Sequence, residues 1–173
     1  DYYFHWADVD NEPVNDWKSV ISTLLSIPMA HQMIGFYTVA DNSDGVLKVM
    51  RSYQFFAASK ISDKVSQTKW DERNQLGGFV WHTTGSGKTM TSFKSAQLIA
   101  TSKDADKVIF LMDRIELGTQ SLKEYRGFAG DSLDVQATEN TGELVTKLKS
   151  GNPSDTLIVT SIQKMNNIKN EAE

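Results

Sequence analysis

Val80-Trp81-His82-Thr83-Thr84-Gly85-Ser86-Gly87-Lys88-Thr89 is the stretch on which the reading of this chain turns. An apolar run, Phe79–Trp81, predicts a strand. A small glycine-broken loop follows it and ends in Gly-Lys-Thr. From Met90 to Ile99 the apolar spacing predicts a helix. Strand, loop and helix in this order form the phosphate-binding P-loop motif. Gly85 and Gly87 allow the backbone bend that turns successive N–H groups toward phosphate oxygens. The helix N-terminus adds partial positive charge. Lys88 brings a point charge to the β- and γ-phosphates, and the Thr89 hydroxyl is placed for Mg²⁺. The general motif begins with glycine where this chain has His82.

The 173 residues suit one domain, or one domain with an attached segment. No apolar run reaches membrane-spanning length, and no signal peptide pattern is present, so no membrane partner is expected. There is no cysteine, which excludes disulfides and thiolate metal sites and makes a cytosolic setting the default. A net charge of −4 argues against a basic nucleic-acid face covering the whole chain. Local backbone contacts to DNA remain compatible with that charge. The chain starts at Asp1 and stops within an expected helix, so an internal fragment of a larger protein is expected.

Residues 1–50 differ from the rest. Tyr2, Tyr3, Phe4 and Trp6 give a strand-like opening, and a turn-rich stretch with Pro13 follows. Asp16 predicts a cap for a helix over 17–26. Pro28 starts or interrupts a segment through Phe36, and Asn42–Gly45 predicts a turn. This portion reads as a linker or accessory layer. From Arg51 the pattern becomes regular. Helices are predicted over 51–65, 117–128, 141–148 and 162–173. Buried parallel strands are predicted over 108–112 and 157–160, with a short strand around Val135. Alternation of strand and helix predicts an α/β domain with a mostly parallel sheet and right-handed crossovers. In such sheets ligands sit at the carboxyl ends of strands, where residues 82–89, 113–114 and 160–164 are expected.

Those residues resemble the motor subunit of type I restriction enzymes. Gly77 through Lys94, with His82-Thr83-Thr84-Gly85-Ser86-Gly87-Lys88-Thr89 at its centre, resembles that family's helicase motif I, and the match accounts for His82. Residues 113–120 (Asp-Arg-Ile-Glu-Leu-Gly-Thr-Gln) resemble motif Ia, and 158–165 (Ile-Val-Thr-Ser-Ile-Gln-Lys-Met) resemble motif Ib. Arg51-Ser52-Tyr53-Gln54 is similar to the adenine-reading Q-type motif of superfamily 2 helicases. Phe4-His5-Trp6-Ala7-Asp8 is similar to the stretch after the family's nuclease domain.

The resemblance implies a RecA-like P-loop NTPase lobe. Residues 51–173 would be the first helicase motor lobe, truncated before motif II. Residues 1–50 would be a linker after a nuclease domain absent here. The parent would be a bacterial or archaeal, cytoplasmic enzyme that uses ATP and Mg²⁺ to translocate double-stranded DNA and cut it at a distance. Its partners would be methyltransferase and specificity subunits. Lys88 and Thr89 are the candidate catalytic pair, with Thr89 on Mg²⁺. The candidate ATP-binding set is Arg51, Gln54, Thr84, Gly85, Ser86, Gly87, Lys88, Thr89 and Met90. Arg114, Gln120, Thr160, Gln163 and Lys164 are candidate DNA contacts. The alternative for Thr160 or Ser161 is a helix cap, and for Arg114 a surface ion pair with Asp113 or Glu116. Motif II is expected beyond residue 173. The alternative is a nucleotide- or partner-binding module without hydrolysis of its own. A P-loop kinase is a third class, for which no substrate lid is evident.

Overall fold

The computed structural model describes residues 4–69, 77–112, 115–129, 135–138 and 140–171, with backbone alone for 115–121, 136–137 and 169–171. The chain divides into two compact units, residues 1–39 with 46–95, and residues 40–45 with 96–173. The junction expected near residue 50 falls inside the first of them.

In the first unit Asp16 caps α1 (Trp17–Ser22), its carboxylate accepting from the Ser19 amide at 2.9 Å. Those hydrogen bonds hold the Asp16 carboxyl below the usual range. The helix stops four residues before the expected end, and Trp17 and Leu25 stay exposed. Pro28 sits in the first turn of α2 (Ile27–Gly35), where its missing N–H costs nothing. α3 (Ser52–Gln67) buries Phe55, Ala57 and Ala58. Phe55 packs edge-on against Tyr37, with ring centres 4.6 Å apart, and lies near Trp6 at 6.0 Å. Burial raises the Tyr37 phenol above its ordinary value.

Two elements, residues 38–41 and residues 88–102, have residues in both units. β1 (Thr38–Asp41) and β2 (Val46–Val49) pair as a hairpin, with Gly45 at φ +70° in the turn. α4 (Lys88–Ser102) buries Phe93, Lys94, Ala96 and Ile99.

The second unit holds a parallel sheet in the order β3-β5-β4, made of β3 (Val108–Met112), β4 (Val135–Ala137) and β5 (Leu157–Ser161). Val108 stands beside Leu157 and Met112 beside Ser161; on the other side Val135 also stands beside Leu157. β5 is buried along its whole length because it has a neighbour on each side. α5 (Ile115–Ala129) and α6 (Thr141–Lys149) are the crossovers. Asn140 caps α6 through the Glu143 amide, and Pro153–Asp155 form a 3-10 turn before β5. α7 (Ile162–Glu171) follows β5 and packs on it and on α6. Tyr125 of α5 is fully buried and stacks on Phe110 at 4.7 Å.

Two strand expectations need correction. Phe79–Trp81 is not a strand: residues 77–83 have no regular structure, and Phe79 and Trp81 are 90% and 88% exposed. A short apolar segment keeps ladder geometry only when a neighbour takes its N–H and C=O groups. None of the described strands pairs with it. β3 is parallel, as expected, but among the described strands it pairs only with β5. Among the described residues it is an edge strand, half-buried, with Leu111 exposed.

Candidate functional site

The loop between Thr83 and Lys88 is built by its own residues. Gly85 and Gly87 take φ +77° and +80°, a region side-chain-bearing residues rarely adopt. The Thr83 carbonyl gathers three donors: the Ser86 amide at 3.4 Å, the Ser86 hydroxyl at 2.7 Å and the Lys88 ammonium at 3.0 Å. α4 starts at Lys88, so the amides of its first turn lie beyond the reach of intrahelical acceptors. Thr91 anchors that turn, its amide and hydroxyl both donating to the Gly87 carbonyl, at 3.0 and 3.1 Å.

The N-terminal turn of α3 meets this loop. Gln54 is 3% exposed. Its Oε1 accepts from the Arg51 amide at 2.9 Å, the half of a capping box that a third-position glutamine supplies. Its Nε2 donates to the Ser86 carbonyl at 3.1 Å. The Tyr53 hydroxyl donates to the same carbonyl at 3.1 Å. A Cβ built on Gly87 would overlap the Gln54 amide nitrogen, so glycine there is demanded twice, by φ and by space. Arg51 lies over the Phe4 ring, 3.7 Å from its centre. Arg51, Tyr53, Thr84 and Gly85 line one cleft together with the exposed Trp81.

His82 stands at the mouth of the loop. Its Nδ1 is 3.1 Å from the Ser86 hydroxyl oxygen, and its ring meets Tyr53 edge-on at 5.8 Å. Burial, and secondarily the Lys88 charge, hold its pKa below the ordinary histidine value.

These features fit a polyphosphate. The loop is largely exposed, two left-handed glycines shape it, a helix N-terminus closes it and a lysine sits at its end. Thr89, in the first turn of α4 and partly exposed, has a hydroxyl that could hold a Mg²⁺ beside a phosphate bound there. Met90 follows on the same turn. No group of three metal-binding side chains occurs among the described residues.

The other candidates fall in the second unit or outside the described residues. Arg114 lies outside them, and for Gln120 only the backbone of α5 is described. Thr160 is buried, and its hydroxyl accepts from that of Thr138 at 2.9 Å. Ser161 is the residue that caps α7, its hydroxyl accepting from the Lys164 amide at 3.3 Å. The Lys164 ammonium donates to the Thr138 carbonyl. Gln163 is exposed in the first turn of α7. Sequence reasoning missed the roles of Tyr53, His82 and Thr138. Tyr53 and His82 stand inside the quoted motifs, which was a usable signal, but no task was given to them there; Thr138 carries no signal.

Residues 53–173 match the model of the SWI2/SNF2 ATPase family. The chain is 39% identical over 173 residues to a type I restriction enzyme endonuclease subunit from Staphylococcus saprophyticus, covering 99% of this chain and 18% of that protein. It is 38% identical over 164 residues to one from Staphylococcus aureus, covering 95% of this chain and 17% of that protein. It is 35% identical over 165 residues to the C-terminal part of such a subunit from Mycoplasma pneumoniae, covering 92% of this chain and 78% of that protein. The chain thus spans under a fifth of the staphylococcal relatives' length.

Proposed function

Because this chain belongs to the SWI2/SNF2 ATPase family, and within it to the endonuclease subunits of type I restriction enzymes, we propose that it is the ATP-binding part of a superfamily 2 DNA motor. The observation that carries this reading is the glycine-shaped loop on the N-terminus of α4, with Lys88 at its end. In the proposed reading residues 51–173 belong to a first RecA-like lobe, and residues 1–50 link it to a nuclease domain. The parent protein couples ATP hydrolysis to movement of double-stranded DNA and to cleavage away from the recognition site. It works in the bacterial or archaeal cytoplasm, beside methyltransferase and specificity subunits. No helix among the described residues is long and apolar enough to cross a membrane.

The chain's own residues have defined tasks. The loop amides and the first turn of α4 bind phosphate oxygens. Lys88 leaves the Thr83 carbonyl and turns its ammonium onto the β- and γ-phosphates. There it stabilises charge that develops on the transferring group. Thr89 supplies a hydroxyl ligand for Mg²⁺, which when bound neutralises the phosphates. Tyr53 and Gln54 hold the loop's shape, and Arg51 lies along the cleft. Gln163 and Lys164 belong to the proposed DNA-gripping segment, with Arg114 and Gln120 as further proposed backbone contacts. Thr160 supports that segment from within. A second reading, a nucleotide-binding piece without hydrolysis, is favoured for the chain taken alone by the small share of its relatives that it spans.

The test is calorimetric titration of the chain with Mg·ATP beside Lys88→Ala. We expect saturable binding that falls at least tenfold in the variant. Equal binding by a folded Lys88→Ala chain would overturn the site.

A further inference from the structure

His82 is given no task by the phosphate-binding reading, yet its ring occupies the place where the general loop pattern has no side chain at all. The hydrogen bonds around Ser86 define its tautomer. A serine hydroxyl has one proton and two lone pairs. The Thr83 carbonyl, 2.7 Å away, can only accept, so the Ser86 proton is spent there. The 3.1 Å contact to His82 must then run the other way, with Nδ1–H donating to the Ser86 oxygen. Nε2 is left bare while the ring is neutral. Burial and the neighbouring Lys88 both favour that neutral ring. Arg51 lines the same cleft and adds positive charge to this side. The Tyr53 ring meets the imidazole edge-on at 5.8 Å and limits its rotation. Ser86 is thereby gripped at both ends, its carbonyl by Tyr53 and Gln54 and its hydroxyl between His82 and Thr83.

We propose that His82 is a positioning residue of the nucleotide loop, which as the Nδ1–H tautomer orients the Ser86 hydroxyl onto the Thr83 carbonyl and so presets the loop for a triphosphate. Through that carbonyl His82 also acts on Lys88, because the Ser86 hydroxyl and the Lys88 ammonium share one acceptor. An oriented Ser86 satisfies the carbonyl on its own and lets Lys88 leave for phosphate. This inference rests on the ATP-site reading above.

The experiment compares Mg·ATP affinity of the chain with that of His82→Leu, His82→Asn, Ser86→Ala, the His82→Leu/Ser86→Ala double variant and Lys88→Ala. Melting without nucleotide is measured for each. Loss of one such hydrogen bond corresponds to roughly three- to tenfold weaker binding. His82→Leu should show that loss and Ser86→Ala at least as much, since it also removes the bond to the Thr83 carbonyl, and the double variant should lose no more than Ser86→Ala, because the His82–Ser86 contact is already gone there. His82→Asn places an amide N–H near the former Nδ1 and should restore affinity. Nitrogen-15 shifts of the His82 ring should report the Nδ1–H form. An Asn variant as weak as Leu, additive losses, or the Nε2–H form would overturn the proposal. Should the Leu variant fail to fold, Ser86→Ala and the ring shifts decide by the same criteria. If Lys88→Ala binds as well as the parent chain, the ATP-site reading itself fails. If Lys88→Ala is weak while His82→Leu binds normally, only the role of His82 fails.

Discussion

The side-chain amide of Gln54 donates to the Ser86 carbonyl at 3.1 Å, tying the first turn of α3 to a loop 32 residues downstream. The same amide's oxygen accepts from the Arg51 backbone at 2.9 Å. Both polar ends of a buried side chain are therefore used within the protein. A buried amide in this state fixes position strongly, because freeing either end leaves an unsatisfied group.

Gly87→Ala follows directly. A Cβ at Gly87 would strike the Gln54 amide nitrogen, and φ +80° is strained for alanine. Strain of this kind costs about 1–3 kcal/mol. Alanine at Gly87 should lower the melting temperature and weaken Mg·ATP by about tenfold or more, since the loop must move to admit it. Gly85→Ala meets the same φ penalty but finds open space, so its effect should be smaller. Equal effects of the two variants would show that the Gln54 contact does not matter.

Gln54→Ala distinguishes loop support from base reading. With both amide ends occupied, its loss should weaken ATP, GTP and CTP alike, each by roughly 0.5–1.5 kcal/mol. Competition binding with the three nucleotides measures this. A loss confined to ATP would show that the amide leaves Ser86 to read adenine.

The loop and its helix were legible in the sequence because Gly85, Gly87, Lys88 and Thr89 carry local chemistry. Parallel strands over 108–112 and 157–160 were legible as strands for a similar reason, since runs such as Leu157-Ile158-Val159 declare themselves, although the first is only half-buried. What escaped was non-local. Nothing in Phe79-Val80-Trp81 says whether a neighbouring strand will accept its hydrogen bonds. Nothing in Val108–Met112 says that β5 would be its one partner among the described strands. Gln54 was expected at the ATP site from its motif, but its bonds to Arg51 and Ser86 depend on how α3 meets the loop. Thr160 was expected at the end of a buried strand and as a DNA contact; its hydroxyl's partner, Thr138, lies 22 residues away with no pattern linking them.

Lys94 predicts a pH dependence of stability. It is buried in α4, donates to the Thr38 carbonyl at 3.0 Å, and burial lowers its pKa to about 8. An unfolded lysine titrates near 10.5. Between these values the unfolded chain binds more protons than the folded one, so this group makes stability rise with pH from about 8 to about 10.5. Below 8 both states are protonated and the penalty of the buried charge is fully present. The rise should be on the order of 1–3 kcal/mol. Urea melts across this window for the chain and for Lys94→Met should differ in slope, the variant being flatter. Parallel curves would mean that Lys94 keeps an ordinary pKa.

Catalytic turnover is the sharpest test of how much of a motor this chain contains. Lys88 and Thr89 provide charge and a metal ligand on one side of the transferring phosphoryl group. Phosphoryl transfer also needs a group that orients the attacking water and an arginine opposite Lys88. An arginine supplied in trans is worth about 10³–10⁵ in rate. The chain spans 18% of its Staphylococcus saprophyticus relative, and we propose that those groups lie in the remainder. The 173-residue chain should therefore bind Mg·ATP but release phosphate at a rate barely above that of Lys88→Ala. Duplex DNA should not stimulate it, because Gln163 and Lys164 would have no second lobe to work against. Bound nucleotide should still raise the melting temperature, by mass action on the folded state. Phosphate release with and without duplex DNA, beside Lys88→Ala, makes the measurement. A DNA-stimulated rate that disappears in the variant would show that these residues alone make a complete motor site.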